Sequence, residues 1–193
     1  MNAVTVGVVL VEAALLALLY VGYRRENTPA VANTAGAAVL TLVPPAVAGV
    51  VGAEGDGFLV ATFWVAVAGF LHSLGMLGRY ESVWWWDHLT HTLSAALLAA
   101  LLYASLLVVA PGVAVVGTVV VTLTLGVVWE IGELLAREVA SRYDIEPVLV
   151  HYGRRDTALD LVFDAVGTVL VVALDLRLFV PIVEAIVRST GTL

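Results

Sequence analysis

The feature that most constrains this chain is a series of apolar stretches, each close to the length needed to cross a lipid bilayer. They run over residues 3–23, 35–51, 58–77, 87–110, 113–135 and 156–178. A hydrocarbon layer about 30 Å thick takes roughly 20 predominantly apolar residues per helical crossing. The expected fold class is therefore all-α: a polytopic transmembrane helix bundle of about six spans, one integral membrane domain over residues 1–193 with the lipid bilayer as its main partner. With 61% hydrophobic residues and a mean hydropathy of +1.02, the chain has no room for a separate soluble domain beside the spans.

The connections set the expected orientation. The first stretch lacks a positive leading region and is too long for the apolar part of a signal peptide, so it reads as a retained helix ending at Arg24 and Arg25. Pro44 and Pro45 should kink or break the second stretch, and Glu54 and Asp56 make a short acidic turn before the third. Trp84, Trp85 and Trp86 read as an interfacial aromatic belt. Pro111 and Gly112 supply a turn, Pro181 ends or bends the sixth span, and residues 182–187 are suited to lie along the interface. There is no lysine. Arginines 24, 25, 79, 137, 142, 154 and 155 fall on one side, against Arg177 and Arg188 on the other. The positive-inside rule then makes loops 24–34, 78–86 and 136–155 cytoplasmic and puts both termini outside a cell membrane.

Charge and composition exclude several classes. Sixteen acids against nine arginines, net −7, leave no basic stripe for nucleic acid. The absence of cysteine removes disulfides, thiolate ligands and thiol catalysis together.

The informative residues are the acids inside the apolar stretches. A carboxylate at the centre of a membrane helix costs about 3 kcal/mol on insertion scales, so such residues are functional by default. Asp156, Asp160 and Asp164 are spaced by four, about 40° per step, and share one helix face. Glu130 and Glu133 share a face near the end of span five, and Asp87, His88 and His91 open span four. Asp87 and Asp156 also suit helix N-termini, where free amides and the helix dipole favour an acid. Because span four begins, span five ends and span six begins on the same side, the three groups fall at one depth. A rise of 1.5 Å per residue puts most of them roughly 5 to 13 Å inside the boundary. His72 and Tyr80 approach the same level. Left ionised and unpaired, Glu130, Glu133, Asp160 and Asp164 would together cost about 10 kcal/mol. Compensation has to come from protonation, from Arg137, Arg154 or Arg155, from water, or from a bound cation.

A carboxylate and imidazole set without thiols suits Mg²⁺, Mn²⁺, Zn²⁺ or Fe²⁺, and helix bundles build such sites from inward-facing acids and histidines. The candidate metal ligands are His88, His91, Glu130, Glu133, Asp156, Asp160 and Asp164. In an enzyme, Glu130 or Glu133 would be a general base, with His91 and Asp87 as an acid-base or ligand pair. The ligand would be a small cation or a polar lipid-linked group. In a proton- or cation-coupled transporter the same acids would carry the ion, with Glu12 of span one and the Pro44-Pro45 break in the path. In a structural or regulatory membrane protein they would pair with arginines. His151 reads as an ordinary exposed histidine.

The strings WWWDHLTHTLSA from Trp84, VVWEIGELL from Val127 and YGRRDTALDLVFDAVGTVL from Tyr152 resemble the YjdF-like family of prokaryotic inner-membrane proteins. The resemblance covers spans four to six and falls on Asp87, His91, Glu130, Glu133, Asp156, Thr157, Asp160 and Gly167. More distantly the arrangement is similar to VanZ-like proteins, which are linked to glycopeptide resistance. Neither resemblance implies a defined reaction. The adjacent Glu pair of CAAX-type intramembrane proteases, the Gly-x-Ser of rhomboid-type proteases and the Lys-containing motif of acid-type lipid phosphatases are missing.

Overall fold

The computed structural model describes residues 2–53, 55–149 and 153–191. Glu54, His151 and Tyr152 therefore lie outside the described residues. Among the described residues the chain forms helices and the turns between them, with no strand.

Helix α1 spans Ala3–Arg24 and is capped by Asn2, whose side chain accepts from the Thr5 amide at 2.9 Å. Helix α2, Thr28–Leu40, starts seven residues earlier than the apolar stretch predicts, because Asn27 caps it by accepting from the Ala30 amide at 2.8 Å. The expected proline break is found at Thr41–Leu42, and Pro44 falls in the first turn of α3, Val43–Val51, where a missing N–H sacrifices no helical bond. Gly52 ends α3 with φ 63°. Helix α4, Asp56–Leu74, continues into a π-helical turn, Gly75–Arg79, and the single turn α5, Tyr80–Ser82. Helix α6 is Trp86–Val109, and α7 is Ala114–Tyr143 after a short 3-10 turn at Pro111–Val113. The predicted fifth span thus extends eight residues past Leu135, into the segment expected to be loop, and stops at Asp144 with φ 53°. Helix α8, Arg154–Ala173, stops five residues short of the predicted end. Pro181 does not end it; this proline lies in the first turn of α9, Val180–Thr190.

Among the described residues five segments are long and apolar enough to cross a membrane: Ala3–Arg24, Thr28–Val51, Asp56–Ser82, Trp86–Val109 and Pro111–Tyr143. Many of their large side chains point outward, as at Val9, Leu10, Leu16, Val116 and Val128, while most buried positions hold small residues, with Leu15, Phe58 and Tyr103 as large exceptions. On α6, Ala95, Ala96, Ala99, Ala100 and Ala104 are buried, which lets helices approach closely in a solvent as apolar as their own side chains. Helix α8 is 20 residues long, about the length of a crossing, but carries Arg154, Arg155, Asp156, Asp160 and Asp164 in its first eleven residues.

Helices α1, α2 and α4 pack on one another, and α6, α7 and α8 form a second group joined to the first through α4 and α6. The α6–α8 pairing is the most extensive in the molecule, and the two helices run in the same direction. His88 lies by Asp160, His91 by Asp164, Ala96 by Gly167 and Tyr103 by Asp175. A Cβ on Gly167 would collide with the Thr92 carbonyl and sit 3.0 Å from the Ala96 amide, so a glycine is required at this crossing. Helix α9 packs on α6, α3 and α4, with Phe179 and Ile182 buried.

Candidate functional site

The parallel pairing of α6 and α8 determines what the acids meet. On α6, Asp87, His88 and His91 occupy the first two turns, with Asp87 inside the helix rather than at its cap, which is Trp85. On α8, Asp156 is likewise within the first turn, the cap being Gly153. His91 Nδ1 lies 3.1 Å from Asp164 Oδ1 and donates to it. That bond fixes the ring so that Nε2 faces the other way, 4.0 Å from Asp87 Oδ1 and 3.9 Å from Asp160 Oδ1. Both gaps are too long for hydrogen bonds. Asp160 is 1% exposed, and its Oδ1 has no hydrogen-bond partner among the described residues. One ligand atom from each of Asp87, His91 and Asp160 falls within a 4.8 Å group.

His88 approaches the same oxygen from another side, its Nδ1 3.7 Å from Asp160 Oδ1. Its ring is held by stacking on Phe163, with centroids 4.4 Å apart and planes 7° from parallel, and by Trp84 edge-on at 6.2 Å. Of the tryptophan trio, Trp84 and Trp85 are exposed as a belt requires, whereas Trp86 turns inward and donates to the Leu71 carbonyl at 2.9 Å.

Asp87, His91, Glu133 and Asp164 line one end of a cavity of about 470 Å³. Its lining comes mainly from α6 and α7, with His72 of α4 and Tyr80 of α5 on another side. Glu133 is held by Trp129, whose Nε1 donates to Oε1 at 2.9 Å. Glu130 is buried at 3% exposure, and it is absent from the cavity lining, as are Asp156, Asp160 and His88. Gly126 faces Asp164: a Cβ there would lie 2.5 Å from Oδ2.

Across the cavity stands a group that the sequence reading did not assemble. The Asn33 Nδ2 donates to the carbonyls of Pro29 at 2.9 Å and Val148 at 2.7 Å, so its Oδ1 is the atom facing His72 Nε2 at 3.1 Å. His72 Nε2 must then donate, which leaves Nδ1 to accept from the Tyr80 hydroxyl at 2.6 Å. The Tyr80 ring lies directly on Gly75, where no Cβ fits, and the π turn with Gly78 at φ 113° brings it back over the helix. Asn33 lies in the polar link that reads as a loop. The available signal was the pair of glycines, Gly75 and Gly78, just before Tyr80.

Glu12, in the middle of α1, stands apart from this cluster, and its Oε1 is enclosed with no hydrogen-bond partner among the described residues. Pairing of the acids with arginine is replaced, in the contacts around Asp87, Asp160 and Asp164, by pairing with histidine.

Neither the curated proteins nor the solved structures contain a match to the chain. The family described as Predicted membrane protein (DUF2238) matches residues 6–180, and the chain belongs to that family of membrane proteins.

Proposed function

We propose that this membrane protein binds a divalent cation between Asp87, His91 and Asp160, in a pocket open to the cytoplasmic side. The observation that carries the proposal is the gap around His91 Nε2. With Nδ1 committed to Asp164, the remaining nitrogen faces two carboxylate oxygens at 3.9 and 4.0 Å, and one of those oxygens is buried without a hydrogen bond. Two donors on one ion at about 2.1 Å can be at most about 4.2 Å apart, so an ion fits where a hydrogen bond does not. Asp164 would be the outer carboxylate that orients a ligating histidine. His88, Glu130 and Asp156 border this set, and Glu133, in the cavity wall, is the general base if the bound molecule reacts.

Helix α8 is the sixth crossing in this reading, since it runs beside α6 at the same depth. The seven arginines on the side where α6 and α8 begin make that side cytoplasmic. The likeness to the YjdF-like pattern and, more distantly, the VanZ-like one falls on residues of these helices. Metal analysis of the purified protein equilibrated with Mn²⁺ tests the proposal. One ion per chain is expected, lost in Asp160→Asn and His91→Gln and kept in Glu184→Gln; no ion in the parent protein overturns it.

Transport is the second reading, and Glu12 supports it as an enclosed carboxyl midway through α1. Cation or proton flux in proteoliposomes that disappears in Glu12→Gln would establish it.

A further inference from the structure

The cavity beside the cation site has an amphiphile's distribution of polarity. Its polar end includes Asp87, His91, Glu133 and Asp164, and its other end Leu98, Thr122 and Leu125. Those two ends are separated along the helix axes: Asp87 and Leu98 are eleven residues apart on α6, about 16 Å. A volume of about 470 Å³ is in the range of small-molecule sites.

The cavity also opens sideways. Ser94, Leu125, Val128 and Trp129 line it, and all four are exposed. Ser94 is about 12 Å along α6 from Trp86, and Leu125 is about 21 Å along its helical segment from Pro111. Both positions are within segments apolar enough to be embedded. The solvent at this mouth is hydrocarbon, so the molecules that reach it are those dissolved in the bilayer.

Charge then selects the headgroup. Among the described residues no arginine lines the cavity, and its polar end carries Asp87, Glu133 and Asp164. Beside these three acids an anionic headgroup is repelled unless a cation is bound among them. Once bound, the ion has three protein donors, while divalent metals of this type take four to six. Asp87 and His91 face the cavity whereas Asp160 is behind them, so the vacant coordination positions point into it.

We propose that the cavity takes a single-chain amphiphile from the bilayer, its hydrocarbon chain between α6 and α7 and its phosphate monoester headgroup on the cation. This rests on the cation site proposed above. Binding of the two is mutually dependent, because a ligand that completes the coordination of an ion tightens the ion by the same factor.

Mn²⁺ affinity is measured by electron paramagnetic resonance on protein in phosphatidylcholine nanodiscs, with empty nanodiscs as the blank. Dodecyl phosphate, inorganic phosphate and dodecyltrimethylammonium are added in turn. Dodecyl phosphate is expected to tighten Mn²⁺ by tenfold or more and inorganic phosphate by much less. In Leu98→Trp or Val128→Trp, which fill the chain end and the mouth, Mn²⁺ binds as before and the dodecyl phosphate effect is lost. If Mn²⁺ binds but dodecyl phosphate does nothing, or inorganic phosphate does as well, the amphiphile is overturned and the cation site stands. Displacement of Mn²⁺ by dodecyltrimethylammonium overturns the choice of headgroup. Dodecyl phosphate binding with no Mn²⁺ bound overturns both.

Discussion

Helices α1–α4 and helices α6–α8 solve the same packing problem in different ways. In the first group close approach is made by small residues against apolar ones: a Cβ on Gly69 would press on the Ala37 methyl, and one on Gly7 on the Phe63 ring. In the second group the same kind of approach, at Gly167, brings two polar faces into register, and Asp160, Asp164, Glu130 and Glu133 are buried there. A bilayer supplies no driving force for apolar helices to associate beyond packing and hydrogen bonds. The first group can therefore hold mainly by packing and a few hydrogen bonds, whereas the second carries a charge cost that protonation, the histidines or a bound cation has to offset. The contrast is between a scaffold and a site.

Substitutions at glycines and acids should break or sharpen that contrast. The largest effect is expected for Gly167→Val, which drives a side chain into the α6 backbone and should cost about 3 kcal/mol or more. Gly36→Ala, where a Cβ meets nothing within 4 Å, should be close to silent in the same thermal unfolding assay. Asp160→Asn should remove the cation and, in metal-free protein, raise stability by about 1–3 kcal/mol, because a buried acid costs more than its amide. An unchanged or lower metal-free stability would mean that Asp160 is compensated by the protein itself. Gly126→Ala should push Asp164 from His91 and weaken Mn²⁺ about tenfold while leaving unfolding nearly unchanged, about 1.4 kcal/mol appearing in binding alone. Among the variants that alter a contact, the smallest change is expected for Asn33→Ala, about 1 kcal/mol in stability with cation affinity intact. A larger loss of affinity would join the first group to the site.

Much of this arrangement was legible in the residue pattern, for definable reasons. Apolar length located the crossings, and the four-residue steps from Asp156 to Asp164 and from Asp87 to His91 put each set on one face. Their meeting followed from counting reversals of direction. Periodicity specifies a face but not what stands opposite it, so the Asn33–His72–Tyr80 chain, assembled from α2, α4 and α5, was out of reach. Helix ends were misplaced where polar residues extend a helix beyond its apolar stretch. Asn27 starts α2 early by capping it, and Glu138 and Arg142, one helical turn apart, lie in the extension of α7.

The side-by-side, same-direction arrangement of α6 and α8 also dictates an order of assembly. During synthesis Asp87 and His91 emerge first, and the chain must complete the whole of α7 before Asp160 and Asp164 exist to face them. The cluster cannot close while the protein is being made up to α7, and a chain cut after Tyr143 has half of the acid and histidine cluster with no second half. Completion of the last long helix, rather than of any earlier one, is the moment at which this membrane protein acquires its polar centre.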